Sequence, residues 1–480
     1  MRTADFGIRE SPEENDDTLR LVAASVVLDE SVPRVRLGSG SFVNVKKLVT
    51  GMVTLFLMSA ASGLMGQSAE SSTTTGATSQ TSEIQPQAIP ALVITRKPMT
   101  QELDAASAAL STIPADPLFQ TDPIGSMTRT ADDFNKWVER TLRLRLGATY
   151  TFLNQYATVT PNGVRHDQLS GRLDLSGNLI VYDHESTAGS IALLVRSGVN
   201  IGISQQFNLS DQMGSGIYLN CLQGGGPQEP ITLNILYWRQ DFLYKRLSFY
   251  VGKLHPNQFI SLSLFNNDER TQFLNGENDG NLAIASDGTY AGGGAVEFQI
   301  TDHLYVHTLA IDTEGAQQSN IKTLTNLKYL EATEIGWFSG APGNRYQDYR
   351  FVVWRDDTKS LGSGHGVGFG FDHEFANGWT PFGRYGFATD TGTAIKQTDS
   401  IGVANVQPFH RRGDMFGAAF NYIEPNHPGK RHESIFETFY RLRLTRSIEV
   451  GPDMQVSINP MYATRAYTSV LLNARMRIIF

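Results

Sequence analysis

The last twelve residues of the chain place the tightest constraint on its fold. Val470, Leu472, Ala474, Met476, Ile478 and Phe480 lie two apart, so on a β-strand all six side chains share one face. Leu471, Asn473, Arg475, Arg477 and Ile479 take the other. An uncharged apolar face backed by one holding two arginines is the pattern of a strand set between lipid and a wet interior. An edge strand of a soluble sheet also alternates, so this stretch leaves both readings open.

The alternation recurs far upstream. Leu142, Leu144, Leu146, Ala148, Tyr150 and Phe152 oppose Arg143, Arg145, Thr149 and Thr151. Leu169, Leu173, Leu175 and Leu179 oppose Arg172, Asp174, Ser176 and Asn178. Ile191, Leu193, Val195, Val199, Ile201 and Ile203 oppose Arg196 and Asn200. Further strands are expected near 231–240, 245–254, 293–300, 303–312, 329–338, 348–357, 364–375, 379–389, 399–406, 413–423, 433–445, 454–460 and 468–480. With the first three they make sixteen, an even number that brings both barrel ends to the same side of the membrane. Short turns at Thr301-Asp302, 376–378 and 408–413 fall alternately with longer loops. The expected fold is all-β: a transmembrane antiparallel β-barrel of sixteen strands, wide enough for a water-filled channel, with a short N-terminal helical segment.

Parity does not say which face of the sheet is outside; the chain termini do. After Lys46 and Lys47, residues 48–65 form an apolar run that passes into Ser59, Ala60, Ala61, Ser62 and Gly63. This is the build of a secretory signal peptide, taken as 46–69 with cleavage between Ala61 and Ala69. The strongly apolar part is short for a membrane-spanning helix of about 20 residues. Residues 1–45 are read as a leader ahead of the true start. Residues 70–130 are expected to be a flexible Ser/Thr/Pro-rich linker and periplasmic segment, with helix-forming residues at 99–113. A short amphipathic helix at 131–140 opens the barrel domain, 131–480. The terminal strand ending on Phe480 resembles the assembly signal of bacterial outer-membrane barrels, which implies the barrel assembly machinery as a partner. Outer-membrane lipid and lipopolysaccharide would surround the barrel.

Composition narrows the function. A mean hydropathy of −0.23 is too polar for a helical membrane protein but ordinary for a barrel, whose lipid face uses alternate residues. The net charge of −8 argues against nucleic acid as a partner. The single cysteine, Cys221, excludes an intrachain disulfide and a Cys-rich metal site. The histidines show no metal spacing, and no G-x-S-x-G element or compact Ser/His/acid set can be nominated. No catalytic residue, metal or cofactor is therefore assigned. Gly364, Gly366, Gly368 and Gly370 recur every second residue with no helix following, so they line one strand face rather than a phosphate loop. Glycine on a lumen face leaves room for an inward loop.

The functional lead is the expected lumen face. Arg172, Arg196, Arg441, Arg443, Arg475 and Arg477 lie on polar strand sides, as do Glu297 and Glu437, and parity adds Trp238, Tyr250 and Trp354. Guanidinium forks donate to hydroxyls and carboxylates, and aromatic rings offer sugars an apolar face. The alternative is a structural charge ladder with no ligand role. The longest loop, about 255–291, carries Asp268, Glu269 and Arg270 and would fold inward as a constriction.

Three segments carry a family resemblance. His432-Glu-Ser-Ile-Phe-Glu-Thr-Phe-Tyr-Arg-Leu-Arg-Leu-Thr445, followed by Pro452-Asp453-Met454-Gln455-Val456 and Ile458-Asn459-Pro460, resembles the closing run of the carbohydrate-selective (OprB-type) porins. Phe382-Gly383-Arg384-Tyr385-Gly386 resembles that family's F-x-R-Y-G strand, and Gly252-Lys253-Leu254 with Phe273-Leu274-Asn275 its constriction-loop segment. The resemblance implies a sixteen-stranded monomer in a Gram-negative outer membrane, passing glucose and related small sugars by facilitated diffusion. It adds Arg384 to the candidates and implies no enzymatic activity. The outer loops match poorly, which leaves the sugar open. A general or weakly anion-selective porin, or a structural or export-associated barrel, are the alternatives.

Overall fold

A computed structural model describes residues 115–222, 231–284, 290–314, 321–357, 363–389 and 394–480, with the backbone of two short strands nearer the N-terminus. The chain divides into two units, Met1–Ile89 and Pro90–Phe480. In the first, Val35–Arg36 pairs antiparallel with Phe42–Val43. Apart from those two strands, the expected leader, the signal peptide, the helix-forming run at 99–113 and the linker as far as residue 114 lie outside the described residues.

The second unit is a closed barrel of sixteen strands. In chain order they are β1 (Leu144–Ala157), β2 (Asp167–Asp183), β3 (Ala188–Asn200), β4 (Thr232–Phe242), β5 (Leu247–Leu254), β6 (Ala291–Gln299), β7 (Leu304–Asp312) and β8 (Tyr329–Ala341). There follow β9 (Asn344–Asp356), β10 (Gly364–His373), β11 (Trp379–Thr389), β12 (Ile395–Asn405), β13 (Met415–Pro425), β14 (Glu433–Arg443), β15 (Ile448–Ile458) and β16 (Thr468–Ile479). Each pairs antiparallel with its sequence neighbours, and β16 closes on β1 with Ile479 opposite Thr149 and Leu471 opposite Ala157. Closure removes the unpaired edge that a lipid-embedded sheet could not tolerate.

The faces settle which side of the sheet is wet. Val251, Ile401 and Leu472 stand outward at 64%, 62% and 55% exposure, while Arg172, Asp174, Glu334, Asp348, Arg350 and Asp372 are buried within. Apolar outside and charged inside inverts the order of a soluble protein and fits a barrel in lipid. Phe242, Phe298, Trp337, Phe375, Trp379 and Phe409 stand exposed toward the short-turn end, forming an aromatic belt at one interface. No helix among the described residues is long and apolar enough to cross a membrane.

Strand boundaries differ from expectation mainly where charges obscured them. β15 begins at Ile448 rather than 454, because Glu449, Pro452 and Asp453 look like turn chemistry. Glu449 and Asp453 are inward residues of a wet-lumen strand. The amphipathic helix, α1, runs Gly125–Leu142 and ends on Arg143 in the left-handed region at φ 54°. It starts inside the stretch expected as linker. The approach to it is tied to the short-turn rim: Leu118 and Phe119 donate backbone N–H bonds to the carbonyls of Arg443 and Leu444 at 3.0 and 2.9 Å. Asp116 pairs with Arg412 at 2.9 Å and Asp132 with Arg446 at 2.5 Å.

Candidate permeation pathway and its constriction

Residues 255–284, which follow β5, fold into the lumen. Phe259, Ile260, Leu264, Phe265, Phe273 and Leu274 are buried there. Two wall residues do much of the holding. Arg384 on β11 donates to the carbonyl of Glu277 at 2.6 Å, to those of Ser261 and Asn266 at 3.2 and 3.3 Å, and to Asn267 Oδ1 at 3.0 Å. Glu437 on β14 accepts from Leu274 N at 2.5 Å, Asn275 N at 3.1 Å and Asn275 Nδ2 at 2.6 Å. A forked cation suits carbonyls, and a carboxylate suits peptide N–H groups. Asn275 also caps a short helix, Gly276–Asp279, through bonds from the N–H groups of Glu277 and Asn278.

The glycine lane gives the loop its space. A Cβ at Gly386 would lie 2.1 Å from Asn281 Oδ1 and 2.8 Å from Ala283 Cβ, and one at Gly368 would lie 3.4 Å from Asn281 Nδ2.

A second inward loop was not anticipated. Residues 201–222 turn through a short helix, Leu209–Met213, capped by Asn208, and bury Ile217 and Leu219. Glu433 on β14 accepts from Ser215 Oγ at 2.6 Å and Gly216 N at 2.8 Å. The two loops then join: Cys221 N donates to the carbonyl of Leu274 at 2.9 Å, and Gly276 N to that of Tyr218 at 2.8 Å. Its signal was available as apolar Leu209, Met213, Ile217 and Leu219 in a segment that would otherwise face water.

At the constriction, Glu269 pairs with Arg172 and lies 3.8 Å from Arg196. Asp174 bridges the two arginines at 3.0 and 2.8 Å. Arg475 donates to the backbone carbonyl of Glu269 at 2.8 Å, and Asp268 is held by Arg270 at 2.9 Å and Thr271 at 2.7 Å. Arg196 donates to Tyr290 Oη at 2.6 Å, and the Tyr290 ring stacks on His255 with centroids 4.3 Å apart. Burial opposes the charge on Glu269, but Arg172 and Arg196 outweigh it and hold the carboxyl at about 2. Burial and the neighbouring Glu269 push Asp279 well above the usual carboxylate range. Burial, then Arg196, pull His255 down to about 3. The result is a ring that brings together the carboxyl groups of Glu269 and Asp279, the His255 imidazole, the Tyr290 phenol and the Arg196 guanidinium, so that donors and acceptors lie side by side next to a stacked aromatic pair.

Of the sequence-predicted residues, Arg172, Arg196 and Glu269 meet here, with Asp268 and Arg270 on the same loop. Arg441 faces the lumen from β14 among other arginines. Arg384 and Glu437 are spent on loop backbone. Glu297, bonded to Tyr250 Oη at 2.5 Å, and Trp354 are inside but buried beneath the loop. Trp238 is a correction. Its register partner Val251 faces lipid, and its ring packs beside Tyr182 while Tyr237 and Arg239 take the interior. A register shift opposite Leu194 and Val195 lies in β4, and one residue of slip exchanges the faces. Asp174, His255, Asp279 and Tyr290 were not singled out.

The family model for carbohydrate-selective porins of the OprB type matches residues 195–345 and 335–480. The chain belongs to this family. The match runs from the Arg196 strand through the inward loop to the last strand, and a porin barrel of this family lies in the bacterial outer membrane. Curated relatives include Porin AaxA of Chlamydia abortus, 25% identical over 258 residues covering 48% of this chain and 53% of that protein. Porin AaxA of Chlamydia felis is 24% identical over 246 residues, again 48% of this chain and 53% of that protein. The chain thus spans about half the length of the curated relatives it matches. Among solved structures, OprB of Pseudomonas putida superposes with a TM-score of 0.60 at 13% identity, covering 76% of this chain and 99% of that one. That likeness concerns the fold.

Proposed function

We propose that the protein is an outer-membrane porin for facilitated diffusion of small, glucose-like carbohydrates, with no cofactor and no energy source. The observation that carries this is the constriction ring, where Arg196, Glu269, Asp279, His255 and Tyr290 offer donors and acceptors side by side next to a stacked pair of rings. A polyol exchanges its hydration for such bonds one group at a time, and a permeable site must bind weakly enough to release. Arg196 and Arg172 donate to sugar hydroxyls, and Glu269 accepts. Assembly runs through the barrel assembly machinery acting on the Phe480 strand, within outer-membrane lipid and lipopolysaccharide.

Liposome swelling tests the reading, comparing glucose with a neutral non-sugar of similar size. Faster glucose entry, reduced by Arg196→Ala, is expected. Equal rates for both solutes would leave a general pore and overturn the carbohydrate reading.

A further inference from the structure

On the short-turn side of the constriction the wall changes character. Arg441 and Arg443 on β14 and Arg475 and Arg477 on β16 face inward around Glu449 of β15. Glu449 accepts from Arg443 at 2.6 Å and from Arg477 at 3.0 Å, and Arg475 is turned toward the Glu269 carbonyl at 2.8 Å. Arg441, partly exposed, makes no hydrogen bond or ion pair with any of the described residues. Asp453 and Glu437 also face Arg475, and Asp268, held by Arg270 and Thr271, faces Arg441 and Arg477 from the loop. Of the four guanidinium groups, Arg441 is the one left without a direct bond to a described residue.

A second, independent observation marks the same wall. Arg441 Nε, Arg443 Nε, Arg475 Nη2, Arg477 Nε and the hydroxyls of Thr149 and Thr151 are buried with no hydrogen-bond partner. Thr151 sits opposite Arg477 in the β16–β1 register, and Thr149 lies on the same inward face. Buried polar atoms without partners are uncommon because leaving a bond unmade costs about 1–3 kcal/mol. On this wall the unpartnered atoms include donors of all four arginines, together with the acceptor Asp453 Oδ2.

We propose that Arg441, flanked by Arg443, Arg475 and Arg477, forms a carboxylate subsite for sugar acids on the inner side of the constriction. This rests on the carbohydrate reading above and extends it from neutral sugars to aldonates and uronates. A planar carboxylate pairs with the partly exposed Arg441 guanidinium.

The test is single-channel current block in planar bilayers, with gluconate and glucose as probes added to either side of the native protein. Gluconate is expected to block about tenfold more tightly than glucose, more so from the inner side, with affinity falling as salt rises. Arg441→Gln should bring the gluconate-to-glucose ratio close to one, and Arg441→Lys should restore part of it. Native unitary conductance and heat-modifiable mobility establish that each variant is folded. Gluconate binding no tighter than glucose, or a ratio unmoved by Arg441→Gln in a folded variant, overturns the subsite while leaving the carbohydrate pore standing. Absence of block by either probe overturns both.

Discussion

Glu437→Ala should loosen the inward loop without damaging the barrel. The carboxylate holds three loop donors, Leu274 N, Asn275 N and Asn275 Nδ2, at 2.5, 3.1 and 2.6 Å. Hydrogen bonds to a charged group are worth about 1.5–3 kcal/mol each, and a buried donor left unpaired costs about 1–3 kcal/mol. Water entering the vacated space recovers part of this, and the buried carboxylate no longer has to be desolvated. About 3 kcal/mol remains, which raises the population of a released loop about a hundredfold. β13–β14 and β14–β15 pairing is untouched, so heat-modifiable electrophoretic mobility should not change. Single-channel recording reads the loop directly, as more frequent transitions to higher conductance. Glu437→Gln keeps one acceptor oxygen and should fall between the two. A folded alanine variant with native conductance and native noise would refute the claim that Glu437 holds the constriction.

Four further outcomes follow from the same geometry. Gly386→Val puts a Cβ 2.1 Å from Asn281 Oδ1 and 2.8 Å from Ala283 Cβ, and should displace the loop, raising conductance in bilayer recordings. Burial, against the pull of Arg384, pushes Glu277 up to about 7 from its ordinary 4.5. Its packing is therefore fully favourable below pH about 4.5 and is lost as pH rises through 7. Current noise should grow over that window and cease to depend on pH in Glu277→Gln. Trp238→Ala, on the lipid face, should leave glucose block within about twofold of native; a larger change would return the ring to the interior. Deleting Phe480, whose N–H donates to the Ala148 carbonyl at 3.0 Å, should reduce barrel yield in outer-membrane fractions while sparing the conductance of the barrels that insert.

The barrel was legible because membrane and lumen impose period two on every strand, and sixteen short hydrophobic alternations survive boundary errors of several residues. The bulge-prone β4 strand is where that logic fails: one shifted residue carried Trp238 to the wrong face. Inside the barrel, parity identifies which residues point inward but not what they meet. Glu437 was placed on a polar strand side by parity and Arg384 was added by the resemblance, and only the loop's path shows that the donors of one and the acceptors of the other are taken up largely by its backbone. The familiar sequence segments fall at these contacts. The F-x-R-Y-G strand supplies Arg384 and the loop-facing Gly386, and the closing run supplies Glu437, which holds Leu274 and Asn275 of the Phe-Leu-Asn segment. The segments that carry the family resemblance are thus the ones that clamp the loop. The groups bordering the opening come from the less patterned ends of the loop, such as His255 and Tyr290. They stand 35 positions apart in the sequence, a separation that no local period encodes. The loop's framework therefore sits where sequence pattern is strongest, and the side chains proposed to meet the solute where it is weakest.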